Sequence, residues 1–344
     1  MLVPAGHTPT PPDAESPDCR DGLWAEEEAM RAGASLKKLF EWQFESVIHR
    51  KRNEKPAKRG AMSTPITERP NELSMHIDSL SSMEIVNVLR CVDGQIFGGY
   101  QHFASLLDSE QVMSLSLAAG AVRECLAEPE SAAVVLAGSG TSGRMAFLIA
   151  RAFNKVMKQR GSRAECFHYL CAGGDEALFA SREAPEDDWR RGAESLLGIA
   201  RKCQRVVYIG ITCGLSAPYV AGQLQLCMDM QAEGKAWTAV LLGFNPIHLA
   251  RNREIEGAAY TFHDVVQRMK AARRQNIIIN PVIGPEAVTG STRMKGGTAT
   301  KLLLEVIMLS AMQRASAGNE TEQISKLLLK YSETILCTYT DSNQ

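Results

Sequence analysis

Residues 136–144 read LAGSGTSGR, a glycine-rich run that joins the apolar stretch AAVVLAG at 132–138 to the helix-like segment MAFLIARAFNKVM at 145–157. A short apolar run beside glycines is typical of a buried strand, and the apolar spacing after it is typical of a helix. A strand that turns directly into a helix is the repeating unit of α/β proteins. This stretch therefore predicts an α/β fold in which a loop with three hydroxyl groups follows the first strand.

Four further β-rich runs follow, each separated from the next by a helical pattern. They read CFHYLCAG from residue 166, RVVYIGIT from 205, WTAVLLGFN from 237 and NIIINPVIG from 276. This alternation predicts a doubly wound, five-stranded parallel sheet flanked by helices. The basic amphipathic segment FHDVVQRMKAARRQ lies between the fourth and fifth runs and is predicted to be a surface helix.

Composition divides the chain into four predicted parts. Residues 1–61 pass from a proline-rich acidic start to the basic run HRKRNEKPAKRG, and we expect a disordered leader in which this run is a solvated linker rather than a nuclear localisation signal. Residues 62–130 have helical spacing, with Ser81 or Ser82 placed to cap a helix. Residues 131–315 carry the five strands and form the predicted ligand-binding domain, and residues 316–344 form a C-terminal helix.

Charge and cysteine usage argue against several classes of protein. The 344-residue chain has a formal net charge of -1, which gives no reason to expect nucleic-acid binding, because such proteins concentrate positive charge on one face. The nine cysteines include no CxxC pair and are typical of a reducing compartment. The sequence shows no signal-peptide core and no apolar run long enough to span a membrane, so we expect an intracellular protein without a membrane partner.

The glycines at 138, 140 and 143 formally match the dinucleotide-binding pattern GxGxxG. A dinucleotide site also needs an acidic residue at the end of the next strand, where it holds a ribose. Asp175 and Glu176 follow that strand only after a double-glycine turn, which is the wrong spacing. A dinucleotide-binding module is therefore a disfavoured alternative, and the lack of a lysine in the loop argues against a P-loop.

The loop after the third strand repeats the combination of glycine and hydroxyls. Thr212 and Ser216 flank Gly214, and Pro218 is well placed to start a helix. One such loop is as readily a helix cap as a ligand site, because serine and threonine cap many helices. Two such loops at one edge of a sheet favour a phosphate site, since a phosphate accepts several hydrogen bonds at once.

Two further segments bring charges toward the same edge. Arg293 lies in GPEAVTGSTRMKGGTATK and is predicted to pair with a phosphate or a sugar oxygen, or else with Glu286 or Glu183. Glu186 lies in SREAPEDDWRRG before a helix, where an acidic side chain can also simply complement the helix dipole. Neither segment decides the function by itself.

Taken together, five ordered motifs are recognisable: LAGSGTSGRMAFL, AGGDEALFASREAPEDD, GLSAPYVAGQ, GFNP and IGPEAVTGSTRMKGGTATKLLLE. They closely resemble the sugar isomerase (SIS) domain of the family shared by N-acetylmuramic acid 6-phosphate etherases and glucokinase regulatory proteins. The similarity runs from TPITERPNELSMHIDSLSSMEIV, which begins at Thr64, to about Ser310.

The resemblance implies a set of residues for a sugar-phosphate site. Phosphate would be held by hydroxyls and backbone of the two loops, the backbone at Cys213 would line the sugar, and Glu186 would accept hydrogen bonds from sugar hydroxyls. The implied ligands are fructose 6-phosphate and fructose 1-phosphate, with no metal and no cofactor. The complete predicted set is Gly140, Thr141, Ser142, Glu186, Thr212, Cys213, Gly214, Ser216 and Arg293.

Two activities compete within the family. An etherase would expel lactate with one carboxylic acid on the first helix and a second carboxylate as base. The resemblance places Glu186 at the base position, whereas Ala152 stands where the etherases have the acid. We therefore expect a non-catalytic regulatory protein that responds to fructose phosphates, inhibits glucokinase and moves between cytoplasm and nucleus, with an etherase-like lyase as the alternative.

The resemblance also implies an assembly. In the family the sugar site lies between two SIS domains, and this sequence shows one such pattern, without the second domain and helical lid that supply the kinase-binding surface. The apolar stripe TKLLLEVIMLSAM at 300–312 is predicted to be exposed in a monomer. We therefore expect a two-fold homodimer through that stripe.

Overall fold

The computed structural model describes residues 64–180, 184–272, 275–290, 292–313 and 320–340, so the predicted leader at 1–61 lies outside the described residues. Five strands form one parallel sheet in the order β2-β1-β3-β4-β5. The predicted five-stranded parallel sheet is confirmed. The strands are Ala132–Gly138 (β1), Phe167–Cys171 (β2), Arg205–Ile211 (β3), Ala236–Leu242 (β4) and Asn276–Ile279 (β5).

Eight α-helices in the described ranges flank the sheet. They are Ser82–Gly98 (α1), Ser109–Ala127 (α2), Gly140–Gln159 (α3), Trp189–Ala200 (α4), Pro218–Ala232 (α5), Phe262–Ala271 (α6), Lys295–Met312 (α7) and Glu320–Thr340 (α8). Two of them begin with a capping box: Ser81 with Glu84 before α1, as one of the two predicted caps, and Thr261 with Asp264 before α6. The latter helix is the surface helix predicted between β4 and β5.

The helices form two layers because alternate residues of each buried strand face opposite sides of the sheet. On one side Val134, Leu136 and Ile209 pack with buried residues of α2, α3, α7 and α8. On the other side Val135 and Tyr208 pack with α4, α5 and α6. The predicted boundaries at 130 and 315 stay a prediction, but α2 and α8 on either side of them share the first of these cores.

The expectation that the stripe at 300–312 is exposed is wrong. Leu302, Leu303 and Ile307 are buried within this chain, where α7 packs against α2, α3 and α8. The predicted dimer was argued from an uncovered apolar face, and the chain's own helices cover that face. Within the described residues that reason for a dimer is lost, and the dimer itself stays a prediction.

Two further findings concern the bulk properties of the chain. Within the described ranges, no helix combines the length and apolar character that a membrane crossing requires. The seven cysteines whose side chains the structure describes, from Cys91 to Cys227, all have free thiols.

Candidate functional site

A cleft of about 370 Å³ opens at the carboxyl ends of β1 and β3. The register pairs Gly138 with Ile211, so the loops that follow these two strands begin side by side. Strand order reverses between β1 and β3, and ligands of open α/β sheets bind at such a reversal. All nine residues of the predicted set line this cleft, and their role in binding stays a prediction: Gly140, Thr141, Ser142, Glu186, Thr212, Cys213, Gly214, Ser216 and Arg293.

The first loop turns sharply from β1 into α3. Gly140 has a φ of 52°, a left-handed conformation that glycine adopts without strain. A Cβ on Gly143 would lie 2.5 Å from Cys171 Sγ and 2.8 Å from the Gly138 carbonyl oxygen. Only a glycine lets the helix start so close to β1 and β2, and this places the first free N–H groups of α3 at the cleft.

The second loop, which follows β3, is held by a hydrogen bond within the loop itself. The hydroxyl of Thr212 accepts a hydrogen bond from Ser216 N at 3.2 Å. Leu215 is fully buried with a φ of 55°, which is a strained conformation for a non-glycine residue. α5 then begins at Pro218, as predicted. The strain is retained because the Leu215 side chain fills the space beside Gly243, where a Cβ would lie 2.4 Å from Leu215 Cδ2.

The helix-cap alternative for these hydroxyls does not account for the geometry. The residues that precede α3 and α5, Ser139 and Ala217, make no side-chain capping hydrogen bond. The Ser142 hydroxyl instead lies 3.9 Å from Cys213 Sγ, so side chains of the two loops meet across the cleft. The N-cap residues of both helices thus leave the first backbone N–H groups without a side-chain cap.

Cys213 is a neutral thiol in the cleft wall. Burial raises its pKa to about 11, with hydrogen bonds from Ser142 opposing that shift and the Glu286 carboxylate adding to it. A thiol with such a pKa is protonated at neutral pH and is a poor nucleophile. Cys213 therefore presents a protonated thiol to the cleft at neutral pH.

Glu186 brings a carboxylate to the mouth of the first loop. It lies on the short 3-10 turn Ala184–Asp187, and a Cβ on Gly140 would be 3.7 Å from its Oε1 atom. The Glu186 carboxylate therefore lies beside the start of α3, and its predicted contact with a sugar hydroxyl stays a prediction. Glu183, which was named with it, lies outside the described residues.

Arg293 lies at the cleft, but the alternative pairing with Glu286 is wrong. The carboxylate of Glu286 accepts hydrogen bonds from the backbone N–H groups of Lys295, at 2.8 Å, and Gly296, at 2.9 Å. Glu286 therefore holds the start of α7 and leaves the guanidinium of Arg293, on the exposed loop just before it, for other partners. The alternative pairing of Arg293 with Glu183 falls outside the described residues.

Several lining residues lie outside the predicted set, among them the polar side chains of Thr67, Glu68, Arg144 and Arg251. Arg144 donates to the carbonyl oxygens of Leu178 and Ala177 and so fixes the turn after β2. The backbone N–H of Arg251 donates to Leu215 O at 3.0 Å, which ties this cation to the second loop. Thr67 lies within TPITE, at the start of the recognised similarity, and that position was the only clue to it.

The two acidic residues weighed for the dinucleotide alternative lie outside the cleft wall. Asp175 accepts a hydrogen bond from the Tyr169 hydroxyl at 2.8 Å, and neither Asp175 nor Glu176 lines the cleft. In the described ranges, no group of three or more histidine, cysteine or acidic side chains converges to hold a metal ion.

Ala152, the position where the etherases are expected to have an acid, lies far from the cleft. It is on the exposed side of α3, twelve residues beyond Gly140, and is not part of the cleft wall. At about 1.5 Å of rise per residue, that is about 18 Å along the helix. A glutamate at this position would extend from the surface of the chain rather than into its own cleft.

Fold and cleft define a sugar isomerase type of α/β domain. The family model described as the glucokinase regulatory protein N-terminal SIS domain matches residues 117–228. The glucokinase regulatory protein of Mus musculus is 42% identical over 82% of this chain, but the chain covers only 46% of that protein. The chain thus spans about half the length of the glucokinase regulatory proteins that it matches.

An N-acetylmuramic acid 6-phosphate etherase of Vibrio cholerae is 32% identical over 74% of this chain and 70% of that enzyme. The chain belongs to the SIS-domain family that includes the glucokinase regulatory proteins and these etherases. Among solved structures, phosphoheptose isomerase GmhA from Neisseria gonorrhoeae is 13% identical, with 58% of this chain and 85% of that chain covered and a TM-score of 0.35. A structural similarity with so low a TM-score supports no conclusion about this chain.

Proposed function

We propose that this chain is a non-catalytic regulatory protein that binds a sugar phosphate in the cleft between the loops after β1 and β3. One observation supports this most directly: Ser142 and Cys213, from two different loops, meet across the cleft at 3.9 Å. Hydroxyls, backbone N–H groups and two helix N-termini then face one small volume. A phosphate dianion satisfies such a set of donors better than a neutral ligand does.

Charge at the rim fits the same ligand. Arg251 and Arg293 line the cleft and supply positive charge for a phosphate. Glu68 and Glu186 also line it, and carboxylates accept hydrogen bonds from sugar hydroxyls. The cleft thus offers cations and donors for one end of a sugar phosphate and acceptors for the other.

The particular ligands that we propose are fructose 6-phosphate and fructose 1-phosphate. The proposed partner is glucokinase, because the relatives with 37–42% identity are glucokinase regulatory proteins. A regulator of that kind would work in the cytoplasm and the nucleus. Since the chain spans about half of those relatives, inhibition of glucokinase is a separate proposal from ligand binding.

The etherase alternative has one observation in its favour. Glu186 brings a carboxylate into the cleft, where it could remove a proton from a bound sugar. Glu68 and Asp187 also line the cleft, so its carboxylates do not separate an etherase from a regulator. The higher identity to glucokinase regulatory proteins, 37–42% against 29–32% for the etherases, favours a regulator.

Titration calorimetry and thermal unfolding with a defined panel test the proposal. The panel is fructose 6-phosphate, fructose 1-phosphate, inorganic phosphate, fructose and NAD. A ligand at 100 times its Kd adds about 2.7 kcal/mol to the free energy of unfolding, which is readily detected. We expect both fructose phosphates to stabilise the chain more than phosphate or fructose does, and stabilisation by NAD alone would refute the proposal.

A further inference from the structure

The short 3-10 turn Ile66–Glu68 closes one side of the cleft, although it precedes β1 by more than sixty residues. Ile66 N donates to Asn245 Oδ1 at 2.8 Å, and Asn245 Nδ2 donates to Gly214 O at 3.4 Å. The amide of Asn245 thus holds this turn against the loop after β3. The Ile66 side chain packs with Tyr100 and Val282, which fixes the turn from its other side.

A second set of bonds anchors the residues just after the turn. Asn71 Nδ2 donates to Pro285 O at 2.7 Å, and the Ser74 hydroxyl donates to Ala287 O at 2.7 Å. Both acceptors lie in the loop that leads to Arg293. Residues 64–74, called here the wall segment, are therefore bonded at both ends to loops of the cleft.

Thr67 lies within the wall segment and carries a hydroxyl that the protein itself does not use. The residue is 4% exposed, and its Oγ1 atom is buried without a hydrogen-bond partner in the part of the chain that the structure describes. Folded proteins pair nearly all buried polar groups, because an unpaired one loses its hydrogen bonds to water without replacement. A ligand is one of the few groups that can supply the missing partner.

The position of this hydroxyl matches the proposed phosphate loop. A Cβ on Gly214 would lie 3.4 Å from Thr67 Oγ1 and 3.4 Å from Ser216 Oγ, so the two hydroxyls flank the same backbone point. Thr67 also belongs to the cleft wall. Because this hydroxyl is covered, a contact with a ligand oxygen requires the Thr67 side chain to rotate about χ1 toward the cleft.

We propose that Thr67 is a phosphate-binding residue, so that the wall segment completes the site as a third loop. The proposal rests on the proposed sugar-phosphate function and adds a ligand contact from outside the strands and loops of the SIS motifs. The Thr67 hydroxyl would donate to a phosphate oxygen on the side where Ser216 also donates. It is a binding residue and takes no part in a chemical step.

The test compares Thr67→Val, which keeps the shape and removes the hydroxyl, with Thr67→Ser, which keeps the hydroxyl. Thr64→Val is the matched control, because Thr64 lies in the same segment but outside the cleft wall. Calorimetry with fructose 6-phosphate and with inorganic phosphate gives Kd, and urea unfolding without ligand gives stability. We expect T67V to weaken both ligands about tenfold, T67S and T64V to stay within threefold, and T67V to be no less stable than the parent chain.

Each contrary outcome has its own meaning. Equal affinities of T67V and the parent chain would show that the hydroxyl is not a ligand contact, and the inference would be wrong. A T67V chain that is less stable or does not fold, beside a T67S chain that is normal, would show that the protein itself uses the hydroxyl. If the parent chain binds neither probe, the proposed function fails first, and the inference with it.

Discussion

Lys295 is fully buried at the start of α7. From this burial we predict how the free energy of unfolding depends on pH. Its ammonium donates to Gln95 Oε1 at 2.7 Å. Desolvation lowers the pKa of Lys295 to about 7, although the charges of Glu286 and Asp93 oppose that shift. The folded chain therefore releases a proton near neutral pH that the unfolded chain keeps until about pH 10.5.

The size of the effect follows from these two pKa values. Between about pH 7 and pH 10.5 the unfolded chain binds more protons, so the free energy of unfolding rises with pH. Integrating the difference in bound protons from pH 7 to pH 9 gives about 2 kcal/mol. Below pH 7 both states are protonated, and the destabilisation by the buried charge is then complete.

Urea unfolding of the parent chain and of Lys295→Met between pH 7 and pH 9 tests this reasoning. Methionine keeps an apolar stem and removes the titrating group, so the parent chain should gain about 2 kcal/mol relative to K295M over that interval. Lys301→Met is the control, because Lys301 lies on the same helix, is exposed and pairs with Glu305. Parallel curves for the parent chain and K295M would refute the argument that Lys295 titrates near pH 7.

Four further predictions concern the cleft and its support. Ser142→Ala should raise the Kd for fructose 6-phosphate at least tenfold, the loss of a hydrogen bond of about 1.5–3 kcal/mol to a charged group; calorimetry measures it, and an unchanged Kd would remove Ser142 from the site. Arg251→Gln should weaken the same ligand and flatten the dependence of its Kd on salt, whereas Arg253→Gln, which lies outside the main cleft, should change neither. The pure chain should release no lactate from N-acetylmuramic acid 6-phosphate, and turnover on the order of 1 per second would restore the etherase alternative. Gly143→Ala should destabilise the fold by about 1–3 kcal/mol because its Cβ meets Cys171, while Gly120→Ala, with no neighbour within 4 Å in a helix, should stabilise it slightly in urea unfolding.

The sheet and the loops of the cleft could be predicted because they depend on local pattern. Strand β1 is an apolar run of seven buried residues that ends at a glycine, and parallel strands bring their carboxyl ends to one edge. The caps at Ser81 and the start of α5 at Pro218 depend on residue types with strong local preferences. These signals lie within a few residues of the structure that they specify.

The predictions that were wrong or incomplete concern contacts between residues that are distant in the sequence. The apolar stripe of α7 has the same spacing whether a second copy or this chain's own α2 and α8 cover it. An ion pair of Arg293 with Glu286 was one alternative suggested by charge, yet two backbone N–H groups at the start of α7 donate to the Glu286 carboxylate. Thr67 lies in TPITE, but no local pattern predicts its place at the cleft, which depends on contacts such as the bond of Ile66 to Asn245, 179 residues away.

That same bond sets an order of events during synthesis on the ribosome. The partners of the wall segment, Asn245 and Pro285, follow Ile66 and Asn71 by 179 and 214 residues. At about 5–20 residues per second, this separation is a delay of roughly 10–40 seconds, during which the segment has left the ribosome and has nothing to dock on. The strands β1 to β3 can pair within that time, but the cleft can close only after translation has passed the loop near residue 287. The wall segment can therefore reach its docked position only in a chain that already extends past that loop.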